Sequence, residues 1–357
     1  MKVINQTRTT NILLLIIVIP LVFFLLKKLS FIFIPLVSSM FIALIFVPIM
    51  RWLTKKGLKK SVSIGIVLII IVLSLWIGVE LIQLSSREIL ATQDEFMLKA
   101  ENKIRALFAY LNEVTGMELV KENEPILSSL LPKDQAASQI GNIVKLLGGS
   151  LSSALMTFFF VVLWLAESIN FQKLLHQALL KSKLSSIKAF RKIESDLIKF
   201  MKVKFALSLF TGIGIGLACY AFDVSFPIFW GLFAFVINFV QMIGSFISVI
   251  MVSIFAFVEL DPSSALFFFM LSCTLVQVLF GGILEPVFMG KSFSINIITV
   301  LIMLMLWGYI WGVPGMILSI PITVFIKIIF EQFRSTQLIA HIISAKDDYP
   351  EKHEREV

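Results

Sequence analysis

Charge is scarce in this chain. Asp, Glu, Lys and Arg make up 15% of its 357 residues, against about 25% in an ordinary soluble domain. Hydrophobic residues take 58%, and the mean hydropathy is +0.95. With several apolar runs of about 20 residues, this excludes a soluble globular domain and predicts an all-α polytopic membrane protein. Cysteine is nearly absent too. Cys219 and Cys273 lie in apolar runs, so neither a disulfide framework nor a thiolate metal site is expected. The three histidines, His176, His341 and His353, all fall in polar segments. With no His in an apolar run, no HExxH and no base near Ser245 in sequence, intramembrane hydrolysis has no machinery. No enzyme activity, cofactor or metal is expected.

Nucleotide signatures fail as well. Gly290-Lys291-Ser292 imitates the end of a P-loop, but the first glycine of that motif would fall on Glu285. Gly212, Gly214 and Gly216 stop short of a dinucleotide fingerprint, because Leu217 occupies the last glycine position and no strand precedes them. Close helix packing accounts for these three glycines, and for Gly308 and Gly312.

The net charge of +8 does not point to nucleic acid, because of where it sits. Positives cluster beside apolar runs, first Arg51 to Lys60, then Lys173 to Lys204. That is the positive-inside pattern, with anionic headgroups as the partner of the basic segment. Apolar runs near 11–27, 31–50, 62–84, 146–167, 205–222, 226–259, 263–284 and 295–330 predict eight crossings. An even number puts both termini on one side, and the basic segments make that side cytoplasmic. The first run has no small-residue cleavage site after it and reads as a retained helix. The regions are N-terminal helices 1–84, an extracytoplasmic helical segment 85–145, a fourth span 146–167, a basic cytoplasmic linker helix 168–204, C-terminal core helices 205–333 and a polar tail 334–357.

Two amphipathic patterns lie outside the spans. Leu90, Met97, Ile104 and Leu111 recur every seven residues. The row packs on the protein's own helices or joins subunits of a homo-oligomer. Ile187, Phe190, Leu197 and Met201 share one helical side opposite Lys and Arg, as in a helix lying on the cytoplasmic leaflet, or one docking a regulator.

Polar groups concentrate between 225 and 321, where lipid tolerates few. Asn238, Gln241, Gln277, Glu285, Lys291 and Asn296 interrupt strongly apolar sequence. Polar residues at that depth read as a pathway or binding site. Asn238, Gln241, Ser245 and Ser248 make one stripe at helical spacing. Interhelical bonding and solute binding both fit it. Ser292, Asn296 and Thr299 make a second stripe. Glu285, beside Pro286, is the acid placed to couple to a cation or proton; an interfacial pair with Lys291 is its other reading. The 226–259 run is too long for one straight crossing, so it is tilted, or broken near Gly244 as a re-entrant hairpin. The last run has the same excess, interrupted at Gly312–Gly315 and Pro321.

Three blocks carry a resemblance: FWGLFAFVINFVQMIGSFIS (229–248), GGILEPVFMGKSFSIN (281–296) and LWGYIWGVPGMILSIPITVFIKI (306–328). In order and spacing they resemble the autoinducer-2 exporter (PerM-type) family. The resemblance implies a bacterial inner-membrane transporter, linked in some members to export of a quorum-sensing signal and in others to cation/proton exchange. The motif positions carried over are Asn238, Gly244, Glu285, Pro286, Gly290, Pro314, Gly315 and Pro321. Where the family often has Pro three residues after the Asn, this chain has Gln241.

The reading is a secondary transporter of a small polar solute or cation, working by alternating access. Asn238, Gln241, Ser245 and Asn296 are the candidate solute-binding residues. Glu285 and Lys291 are the candidate coupling pair, and Gly244, Pro286, Gly290, Gly312, Pro314, Gly315 and Pro321 the candidate breaks. An antiporter, a passive channel and a non-transporting membrane scaffold are the alternatives.

Overall fold

The computed structural model describes residues 6–115, 151–179, 184–240, 243–261, 264–289, 295–332 and 336–344. Among them there is no strand. The helices are α1 (Gln6–Lys28), α2 (Ser30–Lys55), α3 (Lys60–Thr115), α4 (Leu151–Leu179), α5 (Leu184–Ala221), α6 (Pro227–Ile237), α7 (Ile243–Glu259), α8 (Ser264–Gln277), α9 (Glu285–Met289), α10 (Ile297–Gln332) and α11 (Gln337–Ile343). Val278–Leu284, between α8 and α9, is a π-helix. Five helical stretches among the described residues are long and apolar enough to cross a membrane. The chain is an all-α membrane protein, and its α-carbons divide into two compact units.

The first unit holds 1–58, 152–201 and 291–357. Within it α10 packs on α1 and α2. Trp311 Nε1 donates to the Leu26 carbonyl at 3.0 Å, and Lys27 Nζ lies 3.6 Å from the centre of the Tyr309 ring. Leu197, Phe200 and Met201 of α5 are buried. Leu197 and Met201, two of the four residues on the apolar side of the basic segment, thus face protein.

α10 is not one crossing. At Gly312 the backbone takes φ 65°, ψ −143°, a conformation open mainly to glycine. The chain then doubles back. A Cβ on Gly315 would sit 2.0 Å from the Trp307 carbonyl oxygen, and one on Gly308 would touch Met316. Pro314 stands in the first turn of the returning arm, where its missing N–H costs nothing. The base is closed by α11: Asn296 N–H donates to the Ile343 carbonyl, and Thr336 Oγ1 to that of Phe330. The 295–330 span is therefore a helical hairpin. Gly312, expected both as a packing glycine and as a break, is its elbow and would have no atom within 4 Å of an added Cβ.

The second unit holds 59–151 and 202–290. Its α3 runs unbroken for 56 residues, about 84 Å at 1.5 Å per residue. It passes without interruption through the point where apolar sequence gives way to charged. α6 and α7 form a second hairpin. Phe226 and Trp230, at the start of α6, meet Phe255, near the end of α7, at ring-centroid distances of 5.4 and 5.1 Å. The arms have 11 and 17 residues, about 16 and 25 Å, each short of the roughly 30 Å hydrocarbon core. The 226–259 run is thus a hairpin and not a tilted crossing.

Glycines set the packing of this unit. Cβ atoms on Gly212 and Gly216 would meet the carbonyls of Gly231 and Pro227, and one on Gly214 would meet Val276. α5 therefore lies backbone-close to α6. Cys219 and Cys273 are free thiols buried in one apolar cluster with Ile215, Trp230 and Phe269.

The charged part of α3 docks on the hairpin's open end. Phe96 stacks on Phe255 at 4.5 Å, Ala100 is buried, and Lys103 Nζ donates to the Leu260 carbonyl and Asp261. Glu88 accepts from the Phe226 N–H. The docked side runs through 89, 96, 100 and 103. Of the heptad row, Leu90 is 47% exposed, while Met97 and Ile104 are half-buried.

Candidate functional site

The tip of the α6–α7 hairpin and the irregular part of the α8–α9 helix frame a cleft of about 450 Å³. Ser245, Phe246, Thr274, Gln277, Gly281 and Glu285 are among its walls. The tip ends α6 at Asn238 and restarts helix at Ile243. Gly244 makes the reversal possible. A Cβ there would lie 1.9 Å from the Ile237 carbonyl oxygen, closer than any side chain tolerates.

The reversal brings polar groups together. Asn238, 2% exposed, donates through Nδ2 to Ser208 Oγ of α5 at 3.1 Å. Ser245 Oγ donates to Asn238 Oδ1 at 3.5 Å. Ser248 Oγ donates to the Ser245 carbonyl at 3.0 Å and accepts from Gln277 Nε2 at 2.7 Å. One helical stripe was expected from Asn238 to Ser248. The helix is broken between them, so no single stripe exists. Asn238 and Ser245 meet because the chain turns back.

Glu285 lies one helical step past the π turn. Its oxygens accept from Lys204 Nζ at 2.9 and 3.0 Å, with the side chains only 7% and 2% exposed. Lys204 belongs to α5, and in sequence it is the last of the basic residues credited to the cytoplasmic face. Among the described residues the partner of Glu285 is therefore Lys204; Lys291, its other candidate partner, lies outside them. Pro286 does not end the helix. Its ring cannot donate to, and crowds, the carbonyl four residues back. The seven residues before Glu285 take the wider π spacing, a form common at functional sites. Gly281 and Gly282 sit within that turn.

The other predicted residues distribute as follows. Gln241, Gly290 and Lys291 lie outside the described residues. Asn296 belongs to the other unit, where its Oδ1 accepts from the Ile298 N–H and caps α10. Gly312, Pro314 and Gly315 form the α10 elbow. Pro321 is buried inside the returning arm, which stays helical through it. Sequence reasoning did not place Ser208, Gln277 or Lys204 in the site. For Gln277 the signal was available, as an amide in apolar sequence. Ser208 carries none, and Lys204 was hidden by its basic neighbours. Among the described residues no group of three or more His, Cys, Asp or Glu is placed to hold a metal.

Comparison with known proteins agrees with this architecture. The model of the AI-2E family transporters matches residues 12–335. The AI-2 transport protein TqsA of Escherichia coli K12 is 25% identical over 313 residues, 88% of this chain and 89% of that one. A Haemophilus influenzae protein, provisionally named a transport protein, is 24% identical over 88% of this chain and 91% of its own length. A Borreliella burgdorferi protein with the same provisional name is 31% identical over about half of each chain. The family match spans nearly the whole chain and takes in both hairpins and the buried pair, so this multi-pass membrane protein belongs to the AI-2E family of transporters.

Proposed function

We propose that the cleft beside Asn238, Ser245, Gln277 and Glu285 is the solute site of a secondary transporter working by alternating access. The observation that carries this reading is the buried Lys204–Glu285 pair beside the amide–hydroxyl network of the hairpin tip. A buried ion pair is poor value as a stabilising device, and intramembrane ionisable groups are characteristic of transport paths. Solute or a cation competing for Glu285 would weaken its hold on Lys204 and free α5 to shift against α8 and α9. Gly244, Gly312, Pro314 and Gly315 are the hinge positions.

The solute is small and polar, or a cation exchanged for protons as in an antiporter. The name of the E. coli relative, an AI-2 transport protein, supports a signal-type solute, and with it export and a part in quorum sensing. Gln241 and Lys291 keep their proposed binding and coupling roles. The protein acts as a transporter and not as an enzyme, in the bacterial inner membrane, as a homo-oligomer. A hairpin returns the chain to the side it entered from. Replacing two crossings by two hairpins keeps the count even, which supports both termini being cytoplasmic.

Flux in proteoliposomes tests the reading. Wild type and Glu285→Gln are loaded with a pH-sensitive dye and challenged with Na⁺, K⁺ and labelled autoinducer-2. Proton-coupled movement of one of these, lost in the variant, supports it. Equal flux and equal pH dependence in the two proteins would sink the coupling role of Glu285.

A further inference from the structure

The hydrogen bonds around the cleft have a direction. Ser248 spends its hydroxyl proton on the Ser245 carbonyl, so its oxygen can only accept from Gln277. That fixes the Gln277 amide with Nε2 toward Ser248 and the carbonyl oxygen turned away. Gln277 is 6% exposed, and its Oε1 has no hydrogen-bond partner. Oε1 is itself closed off from water, and Gly281 of the π turn, with no side chain, lies beside it: a Cβ at 281 would lie 3.7 Å from Oε1 and 3.3 Å from Ser245 Oγ.

The donors around it are already engaged. Asn238 Nδ2 is held by Ser208, Ser245 Oγ by Asn238, and Lys204 Nζ by both oxygens of Glu285. Among the described residues lining the cleft, the buried side-chain polar atom left unanswered is an acceptor. A buried acceptor costs stability until something donates to it.

We infer that Gln277 determines the specificity of the cleft, which selects solutes presenting a hydrogen-bond donor (a hydroxyl, an ammonium or a guanidinium) over carboxylates and phosphates. A carboxylate without a hydroxyl, or a fully ionised phosphate, brings only acceptors, and these would face Oε1 and the Glu285 carboxylate. The inference rests on the transport reading and adds which solutes it takes.

The test uses full-length wild type, Gln277→Met and Gln277→Glu in proteoliposomes. Uptake is measured for labelled xylitol, guanidinium and succinate, and unfolding temperature for each solubilised protein with each probe. Wild type moves xylitol or guanidinium and not succinate. Gln277→Met removes the acceptor and cuts that uptake at least tenfold. Gln277→Glu keeps an acceptor, adds charge and shifts preference from xylitol toward guanidinium. Unchanged uptake in a folded Gln277→Met protein, or succinate moving as fast as the donors, overturns the inference and leaves transport standing. Folded wild type that neither moves nor is stabilised by any probe overturns both.

Discussion

Lys204 and Glu285 are 81 positions apart in sequence, yet one ammonium reaches both carboxylate oxygens, at 2.9 and 3.0 Å, inside the second unit. Neither charge has much water to return to. Removing one partner strands the other, which costs about 3–5 kcal/mol, whereas replacing both with apolar groups is often neutral. Lys204→Met or Glu285→Leu alone should therefore lower the unfolding temperature markedly in detergent. The double variant Lys204→Met/Glu285→Leu should recover most of it and still fail to transport. A double variant as unstable as the singles would mean that the pair is not the unit of interaction.

The hairpin tip depends on Gly244 for a steric reason. Gly244→Ala puts a methyl 1.9 Å from the Ile237 carbonyl oxygen, so expression or folding should fail. Gly281→Ala meets the Ser245 hydroxyl at 3.3 Å and Gln277 Oε1 at 3.7 Å, and no backbone. That protein should fold with nearly unchanged stability, while the methyl intrudes on the cleft and slows flux several-fold. Comparison of unfolding temperature and uptake for the two variants checks both halves.

The α10 elbow uses two glycines differently. Gly312 has open space but a positive φ, so Gly312→Ala should cost about 1–3 kcal/mol of backbone strain. Gly315→Ala drives a methyl to 2.0 Å from the Trp307 carbonyl oxygen and should be the more damaging. Thermal unfolding of the two variants ranks them; the reverse order would contradict the elbow geometry.

The charged extension of α3 is held by rings more than by ions. Asp261 is 96% exposed in its bridge to Lys103, so Asp261→Ala should change stability by less than about 1 kcal/mol. Phe96→Ala removes a stacked aromatic, worth about 3–5 kcal/mol where well buried and less here, where Phe96 is half-buried. Hydrogen exchange over 88–115 should rise in Phe96→Ala and stay near wild type in Asp261→Ala.

The amide network should behave as a set of modest bonds. Ser248→Ala and Asn238→Ala should each cost about 0.6–2 kcal/mol. Uptake should fall further than that loss explains in both variants, because Asn238 holds Ser245 in the cleft wall and Ser248 orients the Gln277 amide. Proportional losses in both variants would mark the network as structural alone.

Much of this was legible in sequence. The class follows from hydropathy, and 226–259 and 295–330 betrayed themselves by being too long for one crossing. Gly312 and Pro314 marked the second elbow correctly in position. Gly244 marked the first elbow, which lies between the end of α6 at Ile237 and the restart of helix at Ile243. Pro286 and Pro321 read as breaks, yet the chain stays helical through both, because packing or a widened turn absorbs the missing N–H.

The sequence by itself determined what the chain must do with water and lipid: its apolar runs demand a helical membrane protein, and its polar residues must be hidden or used. Tertiary structure alone decided which polar residues meet. Hydropathy and periodicity are local sums, identical for a crossing and for a hairpin of the same length. Nothing in the local sequence of Glu285 points to Lys204, 81 positions away, but the packing of α5 in the second unit brings the two together, and a fold that turns back on itself placed Ser245 beside Asn238 and Gln277 against Ser248.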